Sequence, residues 1–286
     1  MLASLPRSLP ARIIYGLYVA LFFIYLLAPL VVVATFAFND SVFPSLPWKG
    51  FTLDWFISPG ENGRLGLFYD KPLLESVGIS LMVATAVTLL SLAVGVSNAF
   101  LFERHNFPFK GFFYMLMLMP LVIPGVILGI SILVFSNSIV NALDNLFLYE
   151  AEFLRPGLLL VVLGQFSFIT TMATLVISAR LRKFNVELEE AALNLGAGRL
   201  TAVRTVTLPF LKPALIGAGA VAFLMSFENF NTTLMLVGSD APLTITMYDR
   251  LREGSTPVIN AVSLLLMVLS AALALMSMMS GRKAPE

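Results

Sequence analysis

A single carboxylate lies deep within one of the long apolar segments of this 286-residue chain. This residue is Glu228, and amide, hydroxyl and aromatic side chains surround it in the sequence: Phe227, Asn229, Phe230, Asn231 and Thr232. A carboxylate in a bilayer is costly, so it usually faces a cavity or a partner. Beside aromatic rings it would suit an organic ammonium ion, through ion pairing and cation–π contact. A structural hydrogen bond or salt bridge to a partner chain is an equally good interpretation, and both stay open.

Other polar side chains in apolar segments could line the same path as Glu228. If its segment is one continuous helix, Asn231 and Thr232 share its face at positions i+3 and i+4. Gln165 and Asn260 lie in two further apolar segments. Buried amides more often hold helices together, and we favour that role for both.

A second distinctive segment is polar, rich in small residues and located between two apolar runs. Residues 190–209 read EAALNLGAGRLTAVRTVTLP. Ala191 and Ala192 would let another surface approach closely, Leu193 offers an apolar contact, and Glu190 offers an acceptor. A helix resting on lipid headgroups would favour Trp and stripes of Lys or Arg, which this segment lacks. The composition therefore favours contact with another protein.

The residues around this segment predict its local structure. Asn185 is expected to cap a helix whose first turn contains Glu187, where the helix dipole favours an anion. Gly196 is expected to stop that helix. A second short helix would run from Arg199 to Thr207, and Leu208-Pro209 would turn the chain back towards the membrane.

The composition defines the class of protein. Hydrophobic residues make up 58% of the chain and charged residues 12%, and the mean hydropathy is +0.89. These values predict an integral membrane protein. The absence of Cys excludes disulfides, thiol chemistry and Cys-ligated metal, and the only His, His105, makes a zinc site improbable.

No enzyme motif is evident. The sequence has no G-x-x-x-x-G-K-[ST] and no H-E-x-x-H, so we expect neither P-loop ATP binding nor a metalloprotease site. No credible Ser/His/Asp set is present, and the basic loops give no case for nucleic-acid binding. We therefore expect no catalytic residue, no metal site and no cofactor on this chain.

Six apolar runs are long enough to span a bilayer, which takes about 20 residues. Backbone groups in lipid must be paired internally, and the runs lack the alternation of barrel strands, so they are helices. Pro120 and Pro124 should kink or locally open the third helix. The fold class is thus all-α, with six transmembrane helices over residues 13–280. The runs are 13–38, 76–102, 111–136, 157–179, 213–238 and 258–280.

The basic residues predict the orientation. Twelve of the 18 Lys and Arg residues fall in four segments on one side, namely 1–12, 103–110, 180–212 and 281–286. The positive-inside rule places that side, and both termini, in the cytoplasm. The long segment 39–75 would then be an extracytoplasmic loop with turns.

The segment from 190 to 209 resembles the EAA loop of ABC importer permeases. The match consists of Glu190-Ala191-Ala192, three residues, Gly196, nine residues, Val206, one residue and Leu208-Pro209. The family usually has Ile at the position of Val206. The motif is long, its spacing is fixed, and its place between the fourth and fifth spans fits a type I importer permease. The resemblance extends over about residues 70–280.

This resemblance implies a MetI-like permease fold in a bacterial inner membrane. It also implies that the loop is the coupling helix, which sits in a groove of the ATP-hydrolysing subunit. ATP and Mg²⁺ would bind to that subunit. The implied partners are a dimer of ABC ATPase subunits, a second and different permease subunit, a solute-binding protein and membrane lipid. The coupling residues would be Glu190, Ala191, Ala192, Leu193, Gly196, Leu208 and Pro209.

A narrower resemblance concerns the solute. The segment after the motif and the stretch TPVINAVSLLLMVLS at 256–270 resemble the spermidine/putrescine permease branch. Many of those permeases carry two carboxylates in the fifth helix, whereas this chain has Glu228-Asn229. The resemblance implies a small cationic solute of polyamine type. Another small organic solute or iron is the alternative.

Two other classes of membrane protein have requirements that can be compared with the sequence. A secondary transporter or channel that works alone would need inverted repeats or several intramembrane charges. A membrane enzyme would need a paired catalytic set. The sequence shows neither feature.

Overall fold

The computed structural model describes residues 9–44, 46–60, 63–147, 151–254 and 257–282. Over these ranges the regular structure is helical, apart from two isolated β-bridges, Asn39 with Phe51 and Pro59 with Leu65. Six of the described helices are long and apolar enough to cross a membrane. The predicted fold class and number of spans are therefore confirmed.

The helices follow one another along the chain with short connections. A π-helical turn at Val203–Thr207 joins α8 to α9 without a break. Single turns of 3₁₀-helix occur at Leu67–Tyr69 and Glu152–Leu154. The helices are α1 (Leu9–Phe36), α2 (Asp54–Ile57), α3 (Lys71–Arg104), α4 (Lys110–Val122), α5 (Gly125–Phe147), α6 (Leu158–Leu181), α7 (Glu187–Asn194), α8 (Arg199–Ala202), α9 (Leu208–Phe227), α10 (Asn231–Leu236), α11 (Leu243–Glu253) and α12 (Pro257–Arg282).

The third predicted span, 111–136, is interrupted, and the break lies at Pro124, one of the two prolines that were expected to kink or open it. The chain forms α4 and α5 there, separated at Ile123-Pro124. Ile123 has extended backbone angles, φ −73° and ψ 128°, because a proline disfavours helical angles in the residue before it. The helix of spanning length is Gly125–Leu146, which begins after the break.

The fifth predicted span, 213–238, is also divided, and it begins earlier than expected. Helical backbone runs from Arg199 to Phe227, stops at Glu228, and resumes in α10. Because the helix stops, Asn231 and Thr232 do not continue the helical face of Glu228, so that expectation is wrong.

The expected turn at Leu208-Pro209 is likewise wrong, because both residues lie inside this continuous helix. In a regular α-helix the ring of Pro209 would clash with the carbonyl of Thr205. The wider π-helical turn at Val203–Thr207 immediately precedes the proline and accommodates it.

The chain divides into two compact units. The first contains Met1–Lys71 and Arg250–Leu269. Within it, the segment after α1 folds around Trp55, whose Nε1 donates to the carbonyl of Asn39 at 2.9 Å. Arg64 bonds both Asp40 at 2.5 Å and Asp54 at 3.1 Å. The expected loop with turns is therefore a folded segment. The predicted cytoplasmic ends, 1–12 and 281–286, lie largely outside the described residues.

The second unit contains Pro72–Asp249 and Ser270–Glu286, and α6 lies at its centre. More than half of the apolar window of α6 is buried, 56%, as expected for a helix that is hydrophobic on all sides. Gly164 permits close packing, since a Cβ there would lie 2.3 Å from Leu236 Cδ1. The buried cluster around α6 consists of Val83, Val87, Leu160, Val161, Ile169, Ala222 and Leu236.

Gln165 has the structural role that we favoured. Its side chain is 1% exposed. Its Nε2 donates to Thr233 Oγ1 at 2.9 Å, and its Oε1 accepts from the hydroxyl of Ser226. The amide thus holds α6 to α9 and α10. Asn260 differs, because its Nδ2 is buried without a hydrogen-bond partner among the described residues.

Candidate functional site

Helix α7 carries the first half of the EAA-like segment, and local signals set its two ends. Asn185 Oδ1 accepts from the backbone N–H of Glu187 at 3.0 Å, which satisfies a donor that the first turn leaves unpaired. After the helix ends, Gly196 has a φ of +90°, which glycine adopts at no steric cost. Both expected signals, the Asn185 cap and the Gly196 stop, are therefore present.

The outer surface of this loop is apolar and exposed, although the loop is outside the predicted spans. Glu190 and Ala191 are exposed, and Ala192 is half-buried. Leu193 is 40% exposed, Leu200 72% and Leu195 90%. Exposed apolar side chains that lie so close together in the sequence favour a protein contact. We call Glu190, Ala191, Leu193, Leu195 and Leu200 the loop surface.

The end of the motif lies at the start of α9. Leu208 is half-buried and Pro209 exposed within the continuous helix. Val206 packs against a buried cluster that includes Ile177, Phe184 and Leu211. The second half of the motif therefore joins the loop to α9 directly, and this continuity replaces the expected turn.

Sequence reasoning missed the carboxylate that anchors α7. Glu189 Oε2 accepts from Arg104 Nη1 at 3.3 Å, and Glu189 Oε1 accepts from the hydroxyl of Thr207. The side chains of Glu189 and Arg104 are only 17% and 19% exposed. Three acidic residues occur in α7, but the motif drew attention to Glu190. The one available signal for this role of Glu189 was the presence of several acidic residues in α7, one of which could face the rest of the protein.

A second ion pair lies at the same end of α3. Glu103 bonds Arg182 at 2.8 Å and joins α3 to the residue that follows α6. This bond with Glu103 is the main cause of the raised pKa of Arg182. The pair involves no residue of α7, so it is a natural control for the Arg104–Glu189 pair.

The break between α9 and α10 contains Glu228. Its side chain is exposed, and its carboxylate has no hydrogen bond or ion pair with any residue in the described part of the chain. Its own N–H continues the helical bonding to Leu224 at 3.0 Å. Phe227 stacks on Phe223 with ring centroids 6.0 Å apart. The carboxylate is therefore available to a partner or solute.

Asn229 is occupied by the protein itself. Its Oδ1 accepts from the N–H of Thr233 at 3.2 Å and from the hydroxyl of Thr233 at 2.9 Å, which starts α10. Its carbonyl accepts from Thr244 Oγ1 at 3.0 Å, at the start of α11. These bonds give Asn229 a structural role in shaping the break.

Aromatic and polar side chains surround the rest of the break. The rings of Phe230 and Tyr248 are 5.0 Å apart. Asn231 is exposed, while Thr232 is buried and donates to the carbonyl of Gly125 at 3.3 Å. A Cβ on Gly125 would meet Thr232 Oγ1 at 3.1 Å, so glycine permits this contact.

The breaks in the two interrupted spans therefore lie close together. Gly125 begins α5 directly after the first break, and Thr232, which bonds it, lies in α10 directly after the second. Irregular backbone at membrane depth is tolerated where it is buried in protein or lines a water-filled cavity. Paired interruptions of transmembrane helices are typical of transport sites. This arrangement brings Glu228, Phe230 and Asn231 to one break and leaves Thr232 for helix packing.

Comparison with known proteins identifies the family of this chain. Residues 91–282 match the family described as "Binding-protein-dependent transport system inner membrane component". The chain is 30% identical to the putrescine transport system permease protein PotI of Escherichia coli (strain K12), covering 86% of this chain and 82% of the relative. It is 24% identical to the spermidine/putrescine transport system permease protein PotC of the same organism, covering 95% of each.

Two further similarities are to proteins whose names give other solutes. The molybdenum transport system permease protein ModB of Escherichia coli (strain K12) is 31% identical over 74% of this chain and 93% of its own length. The fold resembles that of a bacterial ABC transporter involved in the import of the acidic polysaccharide alginate. The TM-score is 0.67 with 18% identity, and 96% of each chain is covered. The chain therefore belongs to the binding-protein-dependent transport system inner membrane components and is a non-catalytic permease subunit of an ABC importer.

Proposed function

We propose that this permease imports a small organic cation of polyamine type along a path that passes Glu228. The observation that carries the proposal is the exposed carboxylate at the break between α9 and α10, which has no partner among the described residues. The similarity to permeases for putrescine and for spermidine/putrescine supports the same solute class.

The surroundings of Glu228 favour a positive charge. The C-terminal end of α9 lies at Phe227, and the C-terminus of a helix carries partial negative charge. Tyr248, packed on Phe230, is 36% exposed and offers an aromatic face to an ammonium group or a methylene chain. The exposed amide of Asn231 can bond an amine. One carboxylate beside one amide suits a cation that is held weakly enough to be released.

A second candidate solute is an oxyanion. It is favoured by the similarity to the molybdenum permease and by the N-terminus of α5 at Gly125, whose first N–H groups are suited to anions. The carboxylate of Glu228 opposes this assignment, because it would repel an anion in the path. A solute test can therefore separate the two.

We expect Glu228→Gln to lower putrescine uptake about tenfold. The variant loses one ion pair with the solute, and a loss of ~1.4 kcal/mol in binding free energy lowers the affinity tenfold. The change keeps the size of the side chain and removes its charge. Uptake of labelled putrescine into proteoliposomes that contain the whole transporter measures the effect. Asp240→Asn is the matched control, since Asp240 is an exposed carboxylate in the same unit. Equal losses in both variants, or uptake of molybdate in place of putrescine, would refute the assignment.

The loop surface is proposed as the site where the ATPase binds. Glu190, Ala191, Ala192, Leu193 and Gly196 would enter its groove, and Leu208-Pro209 would carry the motion into α9. ATP and Mg²⁺ bind to that partner. Closure of the ATPase dimer moves the loop, and the permease pair switches from inward-open to outward-open. A solute-binding protein then releases its cargo, and hydrolysis resets the cycle.

The remaining partners and the orientation belong to the same proposal. No residue of α1 is buried, so this helix is free to meet lipid or a second, different permease subunit. Both termini would lie in the cytoplasm of a bacterium, with the segment 39–75 outside the inner membrane.

Single-cysteine labelling tests this orientation without a background, because the chain has no Cys. Val42→Cys and Lys183→Cys place a thiol at exposed positions on the two predicted sides. A membrane-impermeant maleimide should label Val42→Cys in intact spheroplasts and Lys183→Cys only after permeabilisation. The reverse pattern would invert the topology.

A further inference from the structure

We infer that Glu189 is a positioning residue that passes the motion of α7 to α3 and α9. This inference rests on the proposed role of the loop surface as the ATPase contact. Glu190 would meet the partner, whereas Glu189, its neighbour in the sequence, would tie the moving helix to the transmembrane helices. Whether Glu189 can pass on the motion depends on how α7 is attached to the rest of its unit.

Packing alone attaches α7 poorly. None of its residues is buried, and its apolar side chains Leu188 and Leu193 are 53% and 40% exposed. Motion is transmitted well between side chains that interlock at close-packed interfaces. A helix with no buried residue lacks such an interface, so a push on α7 needs another connection.

Glu189 supplies a connection to two elements at once. One carboxylate oxygen accepts from Arg104 at the end of α3, and the other accepts from the fully buried hydroxyl of Thr207 at the end of the π-helical turn before α9. A single carboxylate therefore joins three helical segments. Hydrogen bonds to a charged group are stronger than bonds between neutral groups, so this link is suited to carrying force.

Aromatic rings hold the Arg104 side of the link in place. The Arg104 guanidinium lies 5.2 Å from the ring of Phe184, and Phe184 is buried against Phe210 of α9, with ring centroids 5.2 Å apart. The cation is thus fixed between the carboxylate and a ring that itself packs on α9. Movement of Glu189 would displace Arg104 relative to the rings of Phe184 and Phe210, and it would therefore move both α3 and α9.

The strength of the link depends on the negative charge of Glu189. Glutamine at position 189 can accept from Arg104 through its amide oxygen and donate to the hydroxyl of Thr207 through its amide nitrogen. Both bonds then lose the charge that strengthens them. Glu189→Gln should therefore loosen the link while leaving the exposed loop surface unchanged.

The test uses the complete transporter with its ATPase and its solute-binding protein in proteoliposomes. We expect Glu189→Gln to retain the ATPase at the wild-type ratio and to retain basal ATP hydrolysis. Transport, and the stimulation of hydrolysis by the loaded binding protein, should each fall about tenfold or more, within the range of measured coupling between sites. Arg104→Gln should give the same result, and the double variant should be no worse than either single variant.

Glu103→Gln is the matched control, because it breaks the ion pair with Arg182 at the same end of α3 without touching α7. It should keep transport within about twofold of wild type, because Arg182 is 60% exposed, which makes such a pair weak, and because neither residue contacts α7. If Glu189→Gln fails to accumulate, Thr207→Val removes the other half of the link at equal volume and should show the same uncoupling.

Wild-type transport by both Glu189→Gln and Thr207→Val, or an equal loss in Glu103→Gln, would overturn the inference. Failure of the underlying function has a different signature, namely absence of the ATPase from the wild-type preparation.

Discussion

Glu190→Lys is expected to abolish solute uptake while the chain still inserts into the membrane. Glu190 is exposed on α7, one turn before Leu193 on the loop surface. Lysine there reverses a charge at the proposed contact with the ATPase, and like charges facing each other across an interface cost several kcal/mol. Uptake should therefore fall to about 1% of wild type or less. Whole-cell uptake, with an immunoblot of the membrane fraction, measures both parts of the prediction.

Two variants control this experiment. Glu190→Gln removes the charge without reversing it and should lose less uptake than Glu190→Lys. Glu152→Lys makes the same chemical change at an exposed glutamate in the 3₁₀ turn after α5 and should transport normally. Normal uptake by Glu190→Lys would show that the loop surface is not the coupling contact.

Asp70→Asn is expected to lower the stability and the amount of the folded protein sharply. Asp70 is 4% exposed, and its two oxygens accept from Arg250 Nη1 at 2.5 Å and Nη2 at 2.8 Å. The hydrogen bond to Asp70 is the main cause of the raised pKa of Arg250, so the guanidinium stays charged. Removing one partner from a fully buried pair costs about 3–5 kcal/mol, and this pair should approach that range because Asp70 is buried while Arg250 is 27% exposed. The free energy of unfolding of a protein is typically roughly 5–15 kcal/mol, so this loss is a large share of it.

The amount of protein in membranes and the unfolding midpoint of the purified transporter measure this effect. Asp54→Asn is the matched control, because Asp54 also bonds an arginine in the same unit but is 50% exposed. It should cost less than about 1 kcal/mol, the usual upper value for an exposed pair. Equal midpoints for the two variants would show that the Asp70–Arg250 pair contributes little to stability.

The number and approximate positions of the spans were predictable from the sequence because lipid permits few solutions. A long apolar run must pair its own backbone groups, so hydropathy alone indicates a helix. Hydropathy does not show where a helix is interrupted. Pro124 marked the first interruption. The break at Glu228 has neither Gly nor Pro, and it depends on hydrogen bonds that Asn229 accepts from the hydroxyls of Thr233 and Thr244.

In the loop, too, the features set by neighbouring residues could be predicted from the sequence, and the contacts between distant residues could not. The roles of Asn185 and Gly196 depend on bonds or angles within two residues, and they could be predicted from residue type. The continuous helix through Pro209 depends on a π-helical turn that has no sequence signature. The link between Glu189 and Arg104 joins residues 85 positions apart, and only the fold brings them together.

Mild-detergent purification of the tagged chain, with mass spectrometry of the proteins that accompany it, tests the central claim most directly. The claim is that a separate ATPase drives this permease through the loop surface. We predict that an ATP-binding-cassette subunit co-purifies with the wild-type chain and is lost from Glu190→Lys. A chain that purifies alone, remains stable and still takes up solute after reconstitution would contradict the claim.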